Sequence, residues 1–293
     1  MPRSKVEIDF PEYACPYAAR LAEKSRRFRL QVKADKRELD LGGGFSADPF
    51  GELTKAGKIP GLKQRFPDRV LVMTSDRCFM TCRHCTRRGL FGRTSIVDTP
   101  EKLAACVDYV KAHPKVRDVL LSGGDVLTLP DRKVMDFVDA FAALPQVEMV
   151  RVCSRALSAN PGRITARLAK LLGQSGKVWF NTQFNCADEV TPEAVQAAKL
   201  LVERGIPVSC QTVLLKGVND SGPEMLRLLR KLSAARIRPY YVFLCDPIAG
   251  IDHFRVDAGK AAQIENYCAE RIGGLALPRF VRDVPGAKRK MPI

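Results

Sequence analysis

The sequence feature that most constrains this chain is a group of three cysteines in a fixed spacing. Cys78, Cys82 and Cys85 form a C-x3-C-x2-C pattern directly after the apolar run of residues 70–73. Three thiolates on one short loop can bind three irons of a [4Fe–4S] cluster and leave the fourth iron without a protein ligand. A small molecule can then chelate that open iron. The spacing therefore predicts a [4Fe–4S] cluster on this loop.

Two other interpretations of the cysteine pattern are a zinc site and three ordinary buried thiols. Zinc prefers four ligands in C-x2–4-C pairs, and His84 stands between two of the cysteines, where it cannot easily complete the same tetrahedron. The other cysteines are scattered singly among apolar residues: Cys15, Cys106, Cys153, Cys186, Cys210, Cys245 and Cys268. That pattern is typical of reduced, buried thiols in a cytoplasmic protein.

Composition and charge indicate the cellular compartment and the kind of binding partner. The 293 residues contain no apolar run near the ~20 residues that span a bilayer and no signal-peptide core at the start, so we expect a cytoplasmic protein. The formal charge of +16 suggests a nucleic-acid partner. However, the basic residues are spread along the chain with little aromatic interleaving, which favours a basic surface, an acidic protein partner or anionic cofactors instead.

The order of predicted elements indicates an α/β fold. From residue 69, strand candidates begin near residues 69, 117, 147, 177, 206 and 239, with helical stretches at 100–113, 131–144, 163–172, 192–204, 223–235 and 259–271. Repeats of about 30 residues are the size of βαβ units, and six units predict a partial or complete (β/α)6 barrel. We divide the chain into an irregular, partly helical cap (1–68), this core (69–275) and a C-terminal tail (276–293).

In such barrels the chemistry lies at the carboxyl ends of the strands. The sequence places Cys78, Gly123, Ser154, Gln183, Gln211 and Asp246 there. Gly123 and Gly124 precede Asp125, and two consecutive glycines at a strand end allow a ligand to approach the backbone closely. Without the cysteine loop, a simple tight turn would explain the same residues.

The cysteine spacing resembles the signature of the radical S-adenosylmethionine superfamily. Four further segments, at residues 82–88, 120–125, 213–220 and 238–242, resemble the lysine 2,3-aminomutase family within it. The resemblance runs from about residue 45 to the end and is weak before that. It implies a TIM-like partial barrel, S-adenosylmethionine on the open iron as the source of a 5′-deoxyadenosyl radical, and pyridoxal 5′-phosphate as the second cofactor.

The resemblance also implies roles for individual residues near the two cofactors. Gly123, Gly124 and Asp125 match the motif that contacts S-adenosylmethionine, with Ser154, Arg155 and Gln183 as lesser candidates. The tail matches the segment whose lysine carries pyridoxal phosphate, and the Lys-x-Pro pattern selects Lys290 over Lys288. Arg65 and Arg69 match arginines near that cofactor, and Gln211 matches an active-site glutamine. Read without the family, the lysines are a basic terminus and the arginines are surface cations.

Substrate choice is predicted from charge. By the same resemblance, Arg87 pairs with the substrate α-carboxylate, while Asp246 and Asp283 bind the ε-ammonium of lysine. Two carboxylates in a largely dry pocket are stable together only around a cation. The expected reaction is therefore migration of the 2-amino group of L-lysine to give β-lysine, with an electron donor of the flavodoxin or ferredoxin type.

Several alternatives remain open at this stage. They are a lysine mutase associated with elongation factor P, a 2,3-aminomutase for arginine or glutamate, a radical enzyme that modifies RNA without pyridoxal phosphate, and a non-catalytic iron–sulfur protein. Ser221 stands where the best-known lysine mutases have a zinc-binding cysteine, so we expect no structural zinc. A homo-oligomer is possible on this sequence.

Overall fold

A single sheet organises the computed structural model, which describes residues 10–40, 48, 50–51, 59–90, 92 and 95–293. Within that part of the chain the strands lie side by side in sequence order. They are β1 (Leu62–Phe66), β2 (Arg69–Ser75), β3 (Asp118–Gly123), β4 (Met149–Cys153), β5 (Val178–Gln183), β6 (Val208–Leu214), β7 (Arg238–Leu244), β8 (Arg279–Arg282) and β9 (Met291–Pro292). Strands β2 to β8 are parallel, and β1 and β9 pair antiparallel at the two edges.

Helices connect successive strands. They are α1 (Pro16–Lys24), α2 (Arg26–Val32), α3 (Pro100–Ala112), α4 (Asp131–Ala142), α5 (Ala156–Ala159), α6 (Ala166–Gly173), α7 (Pro192–Val202), α8 (Gly222–Ala234) and α9 (Ala258–Ala269). Thr99 and Thr191 cap α3 and α7 through backbone N–H groups, with proline at the first helical position, as the sequence predicts. No described helix is both long and apolar enough to cross a membrane.

The six predicted β/α units are confirmed, because strands β2 to β7 begin within two residues of the predicted starts. Alternate strand residues such as Val119, Leu121 and Phe180 are fully buried with helix residues such as Phe141 in one apolar core. The other face of the strands carries more polar side chains, including Asn181, and forms the inside of the partial barrel.

The sequence did not mark β1, β8 or β9 as strands. Strand β1 reads Leu-Lys-Gln-Arg-Phe, whose polar centre suits a partly exposed edge strand but lacks an apolar run. The helical part of the N-terminal cap consists of two short helices. Ser25 separates α1 from α2 and caps α2 by accepting a hydrogen bond from the N–H of Phe28 at 3.1 Å.

The described N-terminal segment holds the cysteine loop from outside the barrel. Cys15 N donates to Phe79 O at 2.8 Å, and Thr81 N donates to Tyr13 O at 2.9 Å, so the two segments form a short antiparallel bridge. Arg83 and Arg88, both on the cysteine loop, donate to the buried carboxylate of Glu38 at 2.5 and 2.8 Å.

We expect Glu38→Gln to destabilise the fold by about 3–5 kcal/mol, because it leaves two buried arginine charges without a counter-ion. Denaturant unfolding of the purified apoprotein measures this change. Glu12→Gln is the matched control: Glu12 lies in the same segment and pairs with Lys33 at the surface, so its loss should cost at most about 1 kcal/mol. Equal losses of unfolding free energy in the two variants would contradict the stabilising role of the buried Glu38 ion pairs.

Candidate active site

The three cysteines lie together on the loop that follows β2. All are partly buried and free, and Cys85 N donates to Cys82 O at 2.9 Å, which turns the chain between these two residues. Burial and the neighbouring Cys82 raise the pKa of Cys85 to about 11. Thiolates in such a site therefore require a cationic partner, and a metal centre supplies one.

The donors on this loop are three cysteine sulfurs. In the described part of the chain, no three His, Cys, Asp or Glu side chains are placed to hold one metal ion together. In a [4Fe–4S] cluster each cysteine binds a different iron, so its ligands need not converge on one point. Three sulfur donors on one short loop fit such a cluster.

The glycine motif at the end of β3 lies directly against the cysteine loop. Gly124 N donates to Ser75 O, and Asp125 N donates to Arg77 O, each at 2.6 Å. A Cβ on Gly124 would lie 2.2 Å from Arg77 O. Gly123 has φ +115°, and a Cβ on Gly123 would lie 2.5 Å from Ser75 O. The glycines are thus required by the approach of the protein's own backbone, a reason that the sequence did not reveal.

Asp125 is buried and holds the end of β4 in place. Its carboxylate accepts from Ser154 Oγ and Arg155 N at 2.7 Å and from Leu127 N at 3.0 Å. Burial raises the pKa of Asp125 despite these donors. Ser154 Oγ also accepts from Ala156 N at 3.0 Å. Asp125 and Ser154 therefore position the strand ends beside the cysteine loop through protein contacts of their own.

Gln183 ends β5 and contacts the imidazole of His84. The Nε2 of His84 lies 3.1 Å from Gln183 Nε2 and 3.1 Å from Asn185 Nδ2, so the ring accepts from two amides. Burial and nearby Arg155 lower the pKa of His84 well below its usual value, and the ring is neutral. Sequence reasoning missed the contacts of His84, although its place between two cysteines was visible.

Gln211 does not end a strand, contrary to the prediction. It lies three residues before the end of β6, because Val213 and Leu214 continue the pairing with Phe243 and Leu244 beyond a register shift. Its Oε1 accepts from the hydroxyl of Tyr240 at 3.3 Å. Gln211 thus belongs to the polar inside of the barrel rather than to its rim.

The tail brings a second group of charged residues together. Lys290 precedes β9, which folds back on β8, and its Nζ donates to Asp283. Arg65, from the opposite edge strand β1, donates to both carboxylate oxygens of Asp283 at 2.9 and 2.6 Å and to Val284 O at 3.0 Å. These contacts link the first strand of the sheet to its last ones.

Lys290 has the surroundings expected of a reactive amine. Its Nζ lies 5.8 and 5.4 Å from the ring centroids of Phe66 and Phe243, and burial lowers its pKa even though Asp283 opposes the shift. Lys288 is exposed. The structure therefore places Lys290, and not Lys288, in this charged group.

Asp246 follows β7 and completes the group. Burial and the negative charge of Asp283 raise the pKa of Asp246 to about 7. Its side chain makes no ion pair with any residue that the structure describes. Opposite Lys290 and Arg65, the site thus holds two carboxylates, one of them unpaired.

The two remaining arginines differ in their placement. Arg87 N lies 3.4 Å from Cys85 Sγ, and Arg87 Nη1 lies 3.5 Å from Gly123 O, so this residue joins the cysteine loop and the glycine motif. Arg69 lies at the amino end of β2, where Nε donates to Asp68 at 3.0 Å and the guanidinium covers the ring of Phe66. It shares Phe66 with Lys290 but has no described contact with Asp283.

Comparison with known proteins identifies the family. The Radical SAM superfamily matches residues 72–229. An L-lysine 2,3-aminomutase from Acetoanaerobium sticklandii is 44% identical over 257 residues, which are 87% of this chain and 62% of that protein. One from Methanococcus maripaludis is 37% identical over 301 residues, 99% of this chain and 69% of that protein. This chain belongs to the radical SAM superfamily and, within it, to the lysine 2,3-aminomutase family.

This chain matches only part of the length of several relatives. The chain spans 58, 62 and 64% of the length of three lysine 2,3-aminomutase relatives that it matches. A glutamate 2,3-aminomutase from Clostridioides difficile is 30% identical over 90% of this chain and 60% of its own length. Among solved structures, SuiB of Streptococcus suis with bound S-adenosylmethionine has a TM-score of 0.53 at 17% identity, covering 74% of this chain and 51% of SuiB. That likeness supports the fold.

Membership of the lysine 2,3-aminomutase family implies three cofactors, and the described residues fit them. The cysteine loop offers three sulfur donors for the cluster, and the ends of β3, β4 and β5 lie against that loop. Lys290 offers an amine of lowered pKa beside aromatic rings, as pyridoxal phosphate requires, and Arg65 adds a cationic donor for an anionic group.

We expect Gly124→Ala to weaken the cysteine loop, because the added methyl group would lie against the carbonyl of Arg77. Overpacking of this kind costs about 1–3 kcal/mol. The thermal unfolding temperature of the apoprotein should fall. The iron content after anaerobic reconstitution should fall as well. Gly162→Ala is the control, since no atom lies within 4 Å of its Cβ position. Full iron loading of Gly124→Ala at wild-type stability would be the opposite result.

Proposed function

We propose that this chain is a radical SAM, pyridoxal phosphate-dependent aminomutase that interconverts L-lysine and β-lysine. The observation that carries the proposal is the charged group at the tail, where Lys290 lies against Asp283 and near a second carboxylate, Asp246. A reactive amine and a place for a cationic side chain occur there together. The relatives named as lysine 2,3-aminomutases support the same reading.

We assign the residue roles from the family resemblance, and the positions of the residues support this assignment. Cys78, Cys82 and Cys85 would hold the cluster, and Gly123, Gly124, Asp125, Ser154 and Gln183 form or support the adjoining wall. When bound, the cluster with S-adenosylmethionine supplies a hydrogen-abstracting radical, and pyridoxal phosphate supplies a reversible covalent carrier for the substrate amine. Lys290 would attach the latter, with Arg65 and Arg69 near its anionic groups.

Charge complementarity favours a substrate with a cationic side chain. An ammonium group beside Asp246 and Asp283 relieves the repulsion that raises the pKa of Asp246. A glutamate side chain would instead add a third negative charge. Arg87 would pair with the α-carboxylate, since a guanidinium fork matches carboxylate geometry. A guanidinium side chain fits the same two acids, so arginine is the second candidate, and the lysine mutase associated with elongation factor P remains the third.

The partners and location are part of the proposal. A reduced flavodoxin or ferredoxin, which are typically acidic, is complementary to the net charge of +16. Ten free cysteines favour a reducing compartment such as the cytoplasm. Neither a homo-oligomer nor the lack of structural zinc is tested by these observations, and both stay predictions.

Borohydride trapping tests the assignment of Lys290. Wild-type protein reconstituted with pyridoxal phosphate should yield a reduced pyridoxyl adduct that peptide mapping places on Lys290, and Lys290→Ala should lose it together with the associated absorption band. Lys288→Ala, a matched change at an exposed lysine two residues away, should trap as wild type does. A protein that carries the cluster, traps no pyridoxal phosphate and binds RNA in a salt-sensitive way would instead support the RNA-modifying alternative.

The affinity for L-lysine should fall as the pH drops below about 7. Protonation of Asp246, whose pKa is raised to about 7, removes a negative charge that the substrate ammonium needs. From pH 8 to pH 6 the dissociation constant should rise about tenfold, as one titrating carboxylate of that pKa gives. Calorimetry on reconstituted but unreduced protein measures this without turnover.

Asp246→Asn should bind lysine weakly and lose this pH dependence. Asp252→Asn, a change at an exposed aspartate, should keep it. Arginine and glutamate are titrated in parallel, because tighter binding of glutamate than of lysine would contradict the charge argument. A pH dependence that survives in Asp246→Asn would assign the titration to another group.

A further inference from the structure

A buried arginine contacts one of the three cysteine sulfurs. Arg155 follows β4, and its Nη1 donates to Cys82 Sγ at 2.9 Å. Among the described residues, no other side chain donates a hydrogen bond to a sulfur of the cysteine loop. Arg83 and Arg88 of the loop both pair with Glu38, and Arg87 contacts Cys85 Sγ through its backbone N–H.

The guanidinium of Arg155 is fixed by residues from three parts of the fold. Its Nη2 donates to Gln31 Oε1 at 2.6 Å, in α2, and to Glu189 Oε2 at 2.9 Å, in the loop after β5. Its Nε donates to Ser158 Oγ at 3.3 Å, and its backbone N–H donates to Asp125. With 9% of its surface exposed, Arg155 is held in one place by charged and polar contacts.

Glu189 makes this arrangement rigid. Its carboxylate is fully buried and accepts four hydrogen bonds: from Gln31 Nε2, Asn185 N, Cys186 N and Arg155 Nη2. A carboxylate with this many donors cannot turn to follow Arg155. The guanidinium of Arg155 therefore hydrogen-bonds both the fixed carboxylate of Glu189 and the sulfur of Cys82.

We propose that Arg155 is a positioning residue that raises the reduction potential of the [4Fe–4S] cluster by donating a charged hydrogen bond to the sulfur of Cys82. The inference rests on the proposed function, since it needs the cluster. Hydrogen bonds to the sulfurs, net charge and solvent exposure set the potentials of such clusters, and residues beyond the ligands tune metal centres generally. The electron adds negative charge to the cluster, and a fixed cation at a ligand sulfur stabilises that reduced form.

The proposal is tested by two variants, one that removes the positive charge of Arg155 and one that removes the negative charge of Glu189. In Arg155→Met the donor is lost and Glu189 keeps its charge, so the cluster should become harder to reduce. In Glu189→Gln the negative charge is lost and Arg155 remains, so the cluster should become easier to reduce. At a fixed applied potential we expect the ratio of reduced to oxidised cluster to change at least tenfold in each direction, or 59 mV for one electron.

The measurement is a redox titration of anaerobically reconstituted protein without S-adenosylmethionine. The electron paramagnetic resonance signal of the reduced cluster is recorded at each potential. Arg155→Lys keeps the charge but not the fork and should lie between wild type and Arg155→Met. Arg163→Met is the control, because Arg163 donates to Leu127 O and Leu129 O and pairs with Asp131. Its potential should equal that of wild type.

The outcomes separate this inference from the proposed function. If Arg155→Met loses its iron, Glu189→Gln and Gln31→Leu decide, and the latter should shift the potential downward because it loosens the guanidinium. Shifts of the same sign in Arg155→Met and Glu189→Gln would indicate general exposure of the cluster and overturn the inference. So would unchanged potentials with weakened binding of S-adenosylmethionine. A wild-type protein that assembles no cluster would overturn the proposed function as well.

Discussion

The buried ion pairs of Glu38 with Arg83 and Arg88 are the interaction on which the cysteine loop depends. The described part of this loop pairs with no strand inside the barrel. Its position comes from a carboxylate outside the barrel that receives two arginines of the loop. The cost of burying three charges is offset only while the pairing is complete, so the segment around Glu38 and the loop are ordered together.

The loop is then fixed from the barrel side by backbone contacts. The two glycines after β3 allow its carbonyls to approach at hydrogen-bond distance, and Asp125 ties that turn to the end of β4. Arg155 and Gln183 continue the same chain of contacts to Cys82 and His84. The cluster half of the site is thus one connected polar structure, in which few donors or acceptors are left to move independently.

The tail half of the site has a different character. Arg65, Lys290, Asp283 and Asp246 carry two positive and two negative charges, but only Asp283 is paired with both cations. This leaves Asp246 with a raised pKa and a tendency to take up a cation or a proton. The same contacts join edge strand β1 to β8 and β9, so the groups that would recognise the substrate also bring the two ends of the sheet together.

Local patterns in the sequence were sufficient for the cysteine loop, the six β/α units and the capped helices, because each depends on spacing within a few residues or on a period of strands and helices. They also selected Lys290 and its two acids through family resemblance. Contacts between distant segments were decided only by the folded chain. The polar residues of β1 hid an edge strand, Gln211 fell inside its strand because pairing with β7 continues beyond it, and the glycines serve a backbone contact 47 residues apart in sequence, between Arg77 and Gly124. The partners of Arg155 come from α2, the cysteine loop and the segment after β5, and no local pattern records such an encounter, since the free energy that fixes it arises only when all three are buried together.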